Sequence, residues 1–493
     1  MTVIFKIVGY GAFSVIIIFF AVLNYGCISG GKMSDLKPWH EIPDVEDNIT
    51  QASYTDFSEY LAAEKQFLAT KQNVVTIEET ASYNRYARNN KSSPYVKGDN
   101  LNASFECLPD EEEIKGGVLL VHGLTDSPYH LKAIGEIFVK NGFYVIGLRL
   151  PGHGTVPGGL LNVTWEDWYS AVKFGARMVL EKIENRRDTK FYVGGFSTGG
   201  ALTLRYFLET SSEKLRDFST EKHRVPDKLL LLSPAIGVNP FAEILDWHQI
   251  ISWMPWFKNY KWLEIGPEYD PFKYISFAKN AGDQIYDLTK ANQKLIDNIA
   301  RNESIKEKLH PIYAFQSSVD ATVKTEMLVD MYEKIASKES ELFLFDINRL
   351  FKEFLNYDVE KDSLIHSEKI KNMAAKVWLI SNKPKAKDDG YETSVAIKLV
   401  SKLPQSDSPA EKEFASLEEL EWPENVFALS HVCIPISPDD QFYGRNLKLG
   451  VFNAKGEKNV LLIADDLVRI RYNPFFQLIE ECLVVSFLGS TEY

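Results

Sequence analysis

Residues 190–209, KFYVGGFSTGGALTLRYFLE, give the strongest indication of the fold. Its first half is apolar and short and predicts a buried strand, and its second half has the length and pattern of a helix. Between the two halves lies Gly195-Phe196-Ser197-Thr198-Gly199, a Gly-x-Ser-x-Gly sequence. Strand, sharp turn and helix are the context in which such a serine becomes an exposed nucleophile. We expect Gly195 and Gly199 to be required because a Cβ beside this strained turn would clash.

Apolar runs that end in glycine-rich turns recur on both sides of this stretch. They are GGVLLVHG (116–123), GFYVIGLRLPGHG (142–154), KLLLLSPAIG (228–237) and HPIYAFQSSVD (310–320), and amphipathic stretches of helical length separate them. Alternating strands and helices predict an α/β fold with a doubly wound, mostly parallel sheet. Ligands of such sheets bind at the carboxyl ends of the strands, where these turns fall.

Changes in composition divide the chain into seven segments. Residues 238–305 contain four of the nine tryptophans, and we expect them to form an aromatic-rich lid over Ser197. Residues 350–423 are predicted to be a polar insertion, for which the sequence suggests no function. The predicted segments are 1–32 (signal or anchor), 33–110 (N-terminal arm), 111–237 (core), 238–305 (lid), 306–349 (core), 350–423 (insertion) and 424–493 (core).

The N-terminus has the pattern of a targeting or anchoring segment. Lys6 is followed by seventeen uncharged residues, 7–23, and then by Gly26-Cys27. This order predicts a bacterial secretory signal with lipid attachment at Cys27. The alternative is an uncleaved single-pass anchor, because seventeen residues lie near the lower limit for crossing a bilayer. Both interpretations predict a membrane-associated protein of the bacterial cell envelope, and the lipoprotein is compatible with the outer membrane.

Composition excludes some classes of partner. The net charge is −13, with 25% charged and 45% apolar residues, as in an ordinary globular enzyme. Nucleic acid is not an expected partner, since no basic patch is available to neutralise phosphates. The remaining cysteines, Cys107, Cys433 and Cys482, lack metal-ligand spacing, and one disulfide among them is left open.

A serine nucleophile needs a base and an acid that orients the base. In the order Ser, Asp or Glu, His, the base is His366 or His431. We favour His431, which follows the apolar run 424–430 that we predict to be a strand. For the acid we favour Asp320, at the end of a strand, over Asp346.

An oxyanion hole needs two backbone N–H groups. The residue after the nucleophile, Thr198, should supply one of them, and the loop after the first strong strand should supply the other. In that loop, His122-Gly123-Leu124-Thr125, the donor would be Leu124, with Gly123 permitting close approach.

Four motifs together resemble the α/β-hydrolase superfamily, in particular its monoacylglycerol lipase and serine-aminopeptidase-like branch. They are HGLTDSP (122–128), LRLPGHG (148–154), GFSTGG (195–200) and SSVDATV (317–323). The resemblance implies triad roles for Ser197, Asp320 and His431 and no metal or cofactor. The loop IPISPDDQFYG (434–444) is similar to one in bacterial envelope carboxylesterases, a group that includes surface lysophospholipases.

These patterns lead us to expect a membrane-associated serine ester hydrolase. Its expected substrates are single-chain acyl lipids, either lysophospholipids or monoacylglycerols. A peptidase or amidase on the same scaffold is an alternative, because an exopeptidase needs negative charge to bind an amine, and the lid carries Glu264, Glu268 and Asp270. A non-catalytic binding module of the envelope is the second alternative. The oligomeric state is left open.

Overall fold

The strands and helices are those of a computed structural model. It describes residues 35–41, 54–75, 84–87, 92–109, 114–184, 188–212, 223–237, 255–350, 364, 367–387, 390–401, 420–423, 425–445 and 469–489. The strands are β1 Tyr95–Val96, β2 Asp99–Asn100, β3 Phe105–Cys107, β4 Gly116–Val121, β5 Phe143–Leu148, β6 Lys190–Phe196, β7 Lys228–Leu232, β8 Trp262–Glu264, β9 Phe277–Ala278, β10 Ile312–Ser317, β11 Glu341–Phe345, β12 Lys376–Lys387 and β13 Gly390–Leu399. The helices are α1 Phe57–Val75, α2 Lys132–Lys140, α3 Trp165–Ile183, α4 Thr198–Ser211, α5 Lys279–Ala300, α6 Glu303–Lys306, α7 Thr325–Ile335, α8 Glu368–Lys371 and α9 Phe476–Cys482.

A single large sheet forms the centre of the described structure. Its strand order is β13-β12-β11-β10-β7-β6-β4-β5-β3. The inner strands pair in parallel, whereas β3 and β13 pair antiparallel at the two edges. The predicted α/β fold with a mostly parallel sheet is therefore confirmed.

Helices cover both faces of this sheet. Along β4, Leu119 and Val121 belong to the apolar cluster that contains side chains of α3, α4, α5 and α7. Val118 and Leu120 point the other way, into the cluster that contains side chains of α2 and α9. This alternation follows from the two-residue period of a strand. It explains why the core strands are continuous apolar runs, since both of their faces are buried.

Residues 238–254 of the predicted lid lie outside the described residues, and the C-terminal part of the predicted lid segment contains helix α5. Helix α5 lies within the predicted segment 238–305, yet it packs beside α4 and α7. Its side chains Ile285, Leu288 and Ile296 are buried in the main core cluster. Apolar residues recur along this helix with helical spacing, so the helix belongs to the layer that covers the sheet.

The predicted polar insertion also contributes to the core. Strand β12 pairs in parallel with β11 through residues 376–380, and β13 returns antiparallel to β12. Beyond Ile380 the two strands continue as a two-stranded ribbon, in which Pro384 lies opposite Thr393. A proline is tolerated there because strand β11 no longer needs its N–H.

The N-terminal arm is attached to the sheet more tightly than expected. Strand β3 is an edge strand, paired with β5. In α1, the buried carboxylate of Glu64 accepts hydrogen bonds from Arg149 Nε at 2.8 Å and from the Ser104 backbone N–H at 2.6 Å. A charge buried this deeply is tolerated because it is paired and hydrogen-bonded.

The predicted signal or anchor, with Cys27, lies outside the described residues. Within the part of the chain that the structure describes, no helix combines the length and apolar character needed to cross a bilayer. Within the described residues, Cys107, Cys433 and Cys482 form no disulfide.

Candidate active site

Ser197 occupies a strained turn between β6 and α4. Its φ is 53° and its ψ is −116°, a conformation that non-glycine residues seldom adopt. The turn is fixed on both sides, since the Ser197 N–H donates to Leu232 O at 3.0 Å and its carbonyl accepts from Ala235 N at 3.0 Å. This geometry is what the Gly-x-Ser-x-Gly sequence predicted for a nucleophile turn.

The two glycines of the motif allow this turn to be tight. A Cβ on Gly195 would lie 2.3 Å from the Gly199 carbonyl carbon. A Cβ on Gly199 would lie 2.0 Å from Val121 O, at the end of β4. The start of α4 is therefore in backbone contact with the end of the neighbouring strand.

The structure brings the favoured acid and base together. Nδ1 of His431 lies 2.7 Å from Oδ2 of Asp320, and both side chains are buried. The other carboxylate oxygen of Asp320 accepts hydrogen bonds from the N–H groups of Thr322 at 2.8 Å and Val323 at 3.0 Å. These bonds fix the carboxylate so that Oδ2 faces the imidazole.

Gln316 also contacts this carboxylate, and sequence reasoning missed it. It is the fifth residue of β10 and is fully buried, and its Nε2 donates to Oδ2 of Asp320 at 2.9 Å. Asp320 Oδ2 therefore accepts from both His431 and Gln316. A polar residue inside the run IYAFQS, four positions before the acid, is the signal that could have revealed it.

The prediction of a strand before His431 is wrong. Residues 425–430 form turns, and His431 begins a 3₁₀ turn, His431–Cys433, with Ser430 at its N-cap. The imidazole lies beside the nucleophile turn, since its ring centroid is 5.1 Å from that of Phe196. Ser430 holds the turn in place through a 2.5 Å hydrogen bond from its hydroxyl to Ile470 O.

The predicted oxyanion donors lie at the ends of neighbouring strands. Thr198 is the first residue of α4, and Leu124 lies in the loop that follows β4. In the described part of the chain, neither amide donates to a backbone or side-chain acceptor. A Cβ on Gly123 would lie 2.5 Å from Asp126 Oδ2, so the loop needs glycine at this position.

The rival acid, Asp346, has a different partner. Arg349 binds Asp346 through two hydrogen bonds, of 2.6 and 2.9 Å. His366 lies outside the described residues. Of the four candidates, the structure therefore brings Asp320 and His431 into contact.

The acidic residues proposed for amine binding have structural partners. Glu268 is buried and accepts hydrogen bonds from the N–H groups of Ile275 and Ser276. Asp270 accepts from the N–H groups of Phe272 and Lys273 and from the Tyr443 hydroxyl. Glu264 ends β8 and is exposed. Two of the three carboxylates are thus already bound by donors within the fold.

Two buried histidines beneath the site are neutral. His122 Nδ1 donates to Gly123 O at 2.8 Å, and its Nε2 accepts from Leu150 N at 3.0 Å. Burial, together with the neighbouring His153, lowers the pKa of His122 well below its usual value. Burial also lowers the pKa of His153, to about 4. At neutral pH, both histidines therefore stabilise the loop that follows β4 and do not exchange protons.

Aromatic side chains join three loops around the site. Tyr129 stacks on Phe272 with ring centroids 3.8 Å apart, and Phe442 packs edge-on against Phe272 at 4.7 Å. Tyr443 and Ile436 complete the cluster. The loop after β4, the segment before β9 and the loop after His431 therefore share one apolar core.

Comparison with known proteins finds a family and a curated relative. The family of serine aminopeptidases (S33, Hydrolase_4) matches residues 112–349. A thermostable monoacylglycerol lipase of Bacillus sp. (strain H-257) is 36% identical over 88 residues, which are 18% of this chain and 33% of that lipase. The aligned region thus spans about a third of the length of the curated relative.

Solved structures of similar proteins include two lipases. A soluble variant of the Saccharomyces cerevisiae monoglyceride lipase is 17% identical with a TM-score of 0.36, over 49% of this chain and 82% of that chain. The monoacylglycerol lipase of Paleococcus ferrophilus is 18% identical with a TM-score of 0.34, over 49% of this chain and 88% of that chain.

The mostly parallel sheet, the helices on both of its faces and the Ser197 turn are those of the α/β-hydrolase fold. Within that fold, the chain is similar to the serine aminopeptidases, whose family model matches residues 112–349, and to the monoacylglycerol lipases.

Proposed function

We propose that the protein is a carboxylic-ester hydrolase that acts through a triad of Ser197, His431 and Asp320. The observation that carries this proposal is the 2.7 Å hydrogen bond between His431 and Asp320 beside the Ser197 turn. Such a bond orients the imidazole and stabilises its charged form when it takes a proton.

In the proposed first half-reaction, the Oγ of Ser197 attacks the acyl carbon while its proton passes to Nε2 of His431. The tetrahedral intermediate then collapses, the bond to the alcohol oxygen breaks, and His431 gives its proton to that oxygen. In the second half-reaction, water loses a proton to His431 and attacks the acyl-enzyme, which releases the acid and restores the Ser197 hydroxyl. Asp320 stays ionised throughout.

The N–H groups of Leu124 and Thr198 would bind the oxyanion of both tetrahedral intermediates. Their location at the ends of adjacent strands supports this role, as does the absence of acceptors for them within the described structure. Removal of one such donor usually costs about 10²–10³ in kcat.

Single-chain acyl lipids, monoacylglycerols or lysophospholipids, are the proposed substrates. The aromatic cluster of Tyr129, Phe272 and Phe442 supports an apolar acyl pocket. The Bacillus relative is a monoacylglycerol lipase by name, which supports the same class. The lysophospholipid head group is the finer part of this proposal and depends on the predicted membrane location.

The test is hydrolysis of p-nitrophenyl esters from acetyl to palmitoyl, of a monoacylglycerol and of a lysophospholipid, with Ser197→Ala as the control. Turnover that rises with chain length and is lost in the variant supports the proposal. An aminoacyl p-nitroanilide in the same series addresses the peptidase alternative. Faster turnover of that amide than of any ester would favour the aminopeptidase. A folded protein without turnover or fluorophosphonate labelling would favour the binding module.

A cell-envelope location, through lipid attachment at Cys27 or through an anchor over residues 7–23, is a separate proposal. The sequence pattern around Gly26-Cys27 supports it. Metabolic labelling with an alkyne fatty acid, compared between the full chain and Cys27→Ser, tests lipid attachment. Membrane recovery of an unlabelled chain would instead favour the anchor, and recovery of the whole protein in the soluble fraction would contradict both.

A further inference from the structure

A buried ion pair connects the oxyanion loop, which is the loop after β4 that contains Leu124 and Asp126, to the segment before β9. Nζ of Lys273 lies 2.8 Å from Oδ1 of Asp126. The Asp126 side chain is 2% exposed and that of Lys273 is 24% exposed, so solvent screens the pair little. Asp126 lies two residues after Leu124, and its N–H donates to Gly123 O at 3.3 Å. The pair therefore holds the turn that presents the Leu124 amide.

The charge on Asp126 depends on this lysine. Burial raises the pKa of the Asp126 carboxyl, but Lys273, His130 and His122 together lower it to about 2, with Lys273 first among them. His130 lies further away, with Nε2 3.9 Å from Oδ1. Loss of the Lys273 ammonium would leave a buried carboxylate without its main partner, and such a carboxylate moves or takes up a proton.

The residue after Lys273 holds the same loop through its backbone. The N–H of Tyr274 donates to Thr125 O at 2.8 Å. Thr125 has a φ of 64°, which is strained for a β-branched residue. The Tyr274 hydroxyl is itself fixed by the Thr155 N–H at 2.7 Å and by Gly152 O at 3.2 Å. Strain of this kind persists where surrounding contacts hold it.

Lys273 is anchored at its own backbone. Its N–H donates to Asp270 Oδ1 at 3.1 Å, and its carbonyl accepts from Arg85 Nη1 at 3.1 Å. The ion pair between Asp126 and Lys273 therefore connects the oxyanion loop to a residue whose backbone is held by two hydrogen bonds.

We propose that Lys273 is a positioning residue of the oxyanion hole, which acts through Asp126 to hold the Leu124 amide at the developing negative charge. This inference rests on the proposed function, because it assigns a role within the same reaction. Lys273 itself does not touch substrate. A group that orients an oxyanion donor acts on the transition state more than on the bound substrate. Its removal should therefore lower kcat and leave KM unchanged.

The experiment uses the full chain and its best p-nitrophenyl ester. The variants are Lys273→Met, Lys273→Arg, Asp126→Asn and the double variant Lys273→Met with Asp126→Asn. Lys258→Met is the matched control, because Lys258 forms a 2.8 Å pair with Glu41 in which both side chains are about half exposed. The measurements are kcat, KM and the inhibition constant of a trifluoromethyl ketone with the same acyl chain. That ketone adds to a serine hydroxyl and places an oxyanion in the hole.

Lys273→Met should lower kcat about 10- to 100-fold, less than the full loss of a donor, with KM within about twofold. It should raise the inhibition constant of the trifluoromethyl ketone by a similar factor. Lys273→Arg should recover most of kcat. The double variant should be no worse than the poorer single variant, because both remove the same pair. Lys258→Met should match the wild type.

An unchanged kcat in Lys273→Met, or a change confined to KM, would overturn the inference. If Lys273→Met does not fold, Asp126→Asn provides the same test, because it removes the charge and keeps the shape. An inactive wild type would count against the proposed function instead, so the two failures are distinguishable.

Discussion

His431 donates a hydrogen bond to Asp320 over 2.7 Å, although 111 residues separate them in the sequence. Strands β11, β12 and β13 lie between the two residues. The contact depends on the return of the chain from the edge of the sheet to the nucleophile turn. It is therefore the most direct target for testing the proposed triad.

Substitution of the triad should abolish turnover and preserve the fold. Ser197→Ala and His431→Ala should each lower kcat by several orders of magnitude, and Asp320→Asn by about 10⁴, because the imidazole loses its orienting carboxylate. Turnover assays that resolve the burst phase measure the loss of kcat. Circular dichroism of each variant checks that the fold is preserved. Asp346→Asn is the matched control, because Arg349 binds that carboxylate. A kcat loss in Asp346→Asn as large as that in Asp320→Asn would contradict the assignment of the acid.

Gln316→Met should lower kcat about tenfold with little change in KM. The substitution keeps the volume of the buried side chain but removes the 2.9 Å hydrogen bond to Asp320 Oδ2. Hydrogen bonds to charged groups contribute about 1.5–3 kcal/mol, of which the transition state should lose a part. Steady-state kinetics would detect this change. Gln284→Met serves as the control, since its side chain accepts from Trp165 N and should affect stability alone. Equal kcat values for Gln316→Met and the wild type would show that Gln316 has no influence on the acid.

Two glycine substitutions should have opposite effects on stability. Gly199→Ala places a Cβ 2.0 Å from a backbone oxygen, so it should destabilise the protein by more than about 3 kcal/mol and abolish activity. Gly282→Ala lies within α5, where the nearest atom to the new Cβ is 3.4 Å away. It should stabilise the protein by about 0.5–1 kcal/mol, because alanine is the better helix former. Urea unfolding measures the free energy of unfolding of both variants. A Gly199→Ala variant as stable as the wild type would show that the turn has room for a side chain.

Stability should fall as the pH decreases from about 6.5 to 4. Burial lowers the pKa of His40 and His153 to about 4 and that of His122 well below its usual value, whereas an unfolded histidine titrates near 6.5. In this window the unfolded chain binds protons that the folded protein does not, so each residue contributes up to about 1.4 kcal/mol of loss per pH unit. Urea unfolding at pH 7.5, 6 and 5 measures the slope.

His153→Phe is the control for this pH dependence. It removes one titrating group and keeps an aromatic ring near His122 and Trp168, so its slope should be shallower by about 1.4 kcal/mol per pH unit. A free energy of unfolding that stays constant from pH 7.5 to 5 would mean that these histidines take up protons as readily in the folded protein as in the unfolded chain.

Local pattern was enough to predict the core strands and the Ser197 turn. Runs such as GGVLLVHG are apolar on both faces, and a serine with glycine two positions away on each side is typical of a strained strand-to-helix turn. Strands β12 and β13 were missed because polar and charged residues, SNKPKAK, fill the ribbon beyond Ile380. Ser381, Asn382 and Lys383 are only partly buried and Pro384 is exposed, so hydrophobicity carries no signal there.

The loop that carries His431 was beyond prediction for a different reason. ENVFALSH has the composition of a strand, yet the chain enters a 3₁₀ turn at His431 and packs through tertiary contacts. Tertiary context overrides short-range propensity in such short segments. Lys273 was missed because its partner, Asp126, lies 147 positions away in the sequence, so no local spacing specifies the contact. Gln316 lies only four positions before Asp320, and its polar side chain within an apolar run is a local signal.

The long chain segment between Asp320 and His431 also affects how the protein folds. Contacts between residues far apart in sequence carry a large loop-closure entropy and form late. The nucleophile turn needs only neighbouring strands, whereas the contact between His431 and Asp320 closes a loop that contains the whole β12–β13 hairpin. With the proposed triad, catalytic competence would be a property of the completely folded chain, and a truncated or partly assembled chain would hold a serine without a base to activate it.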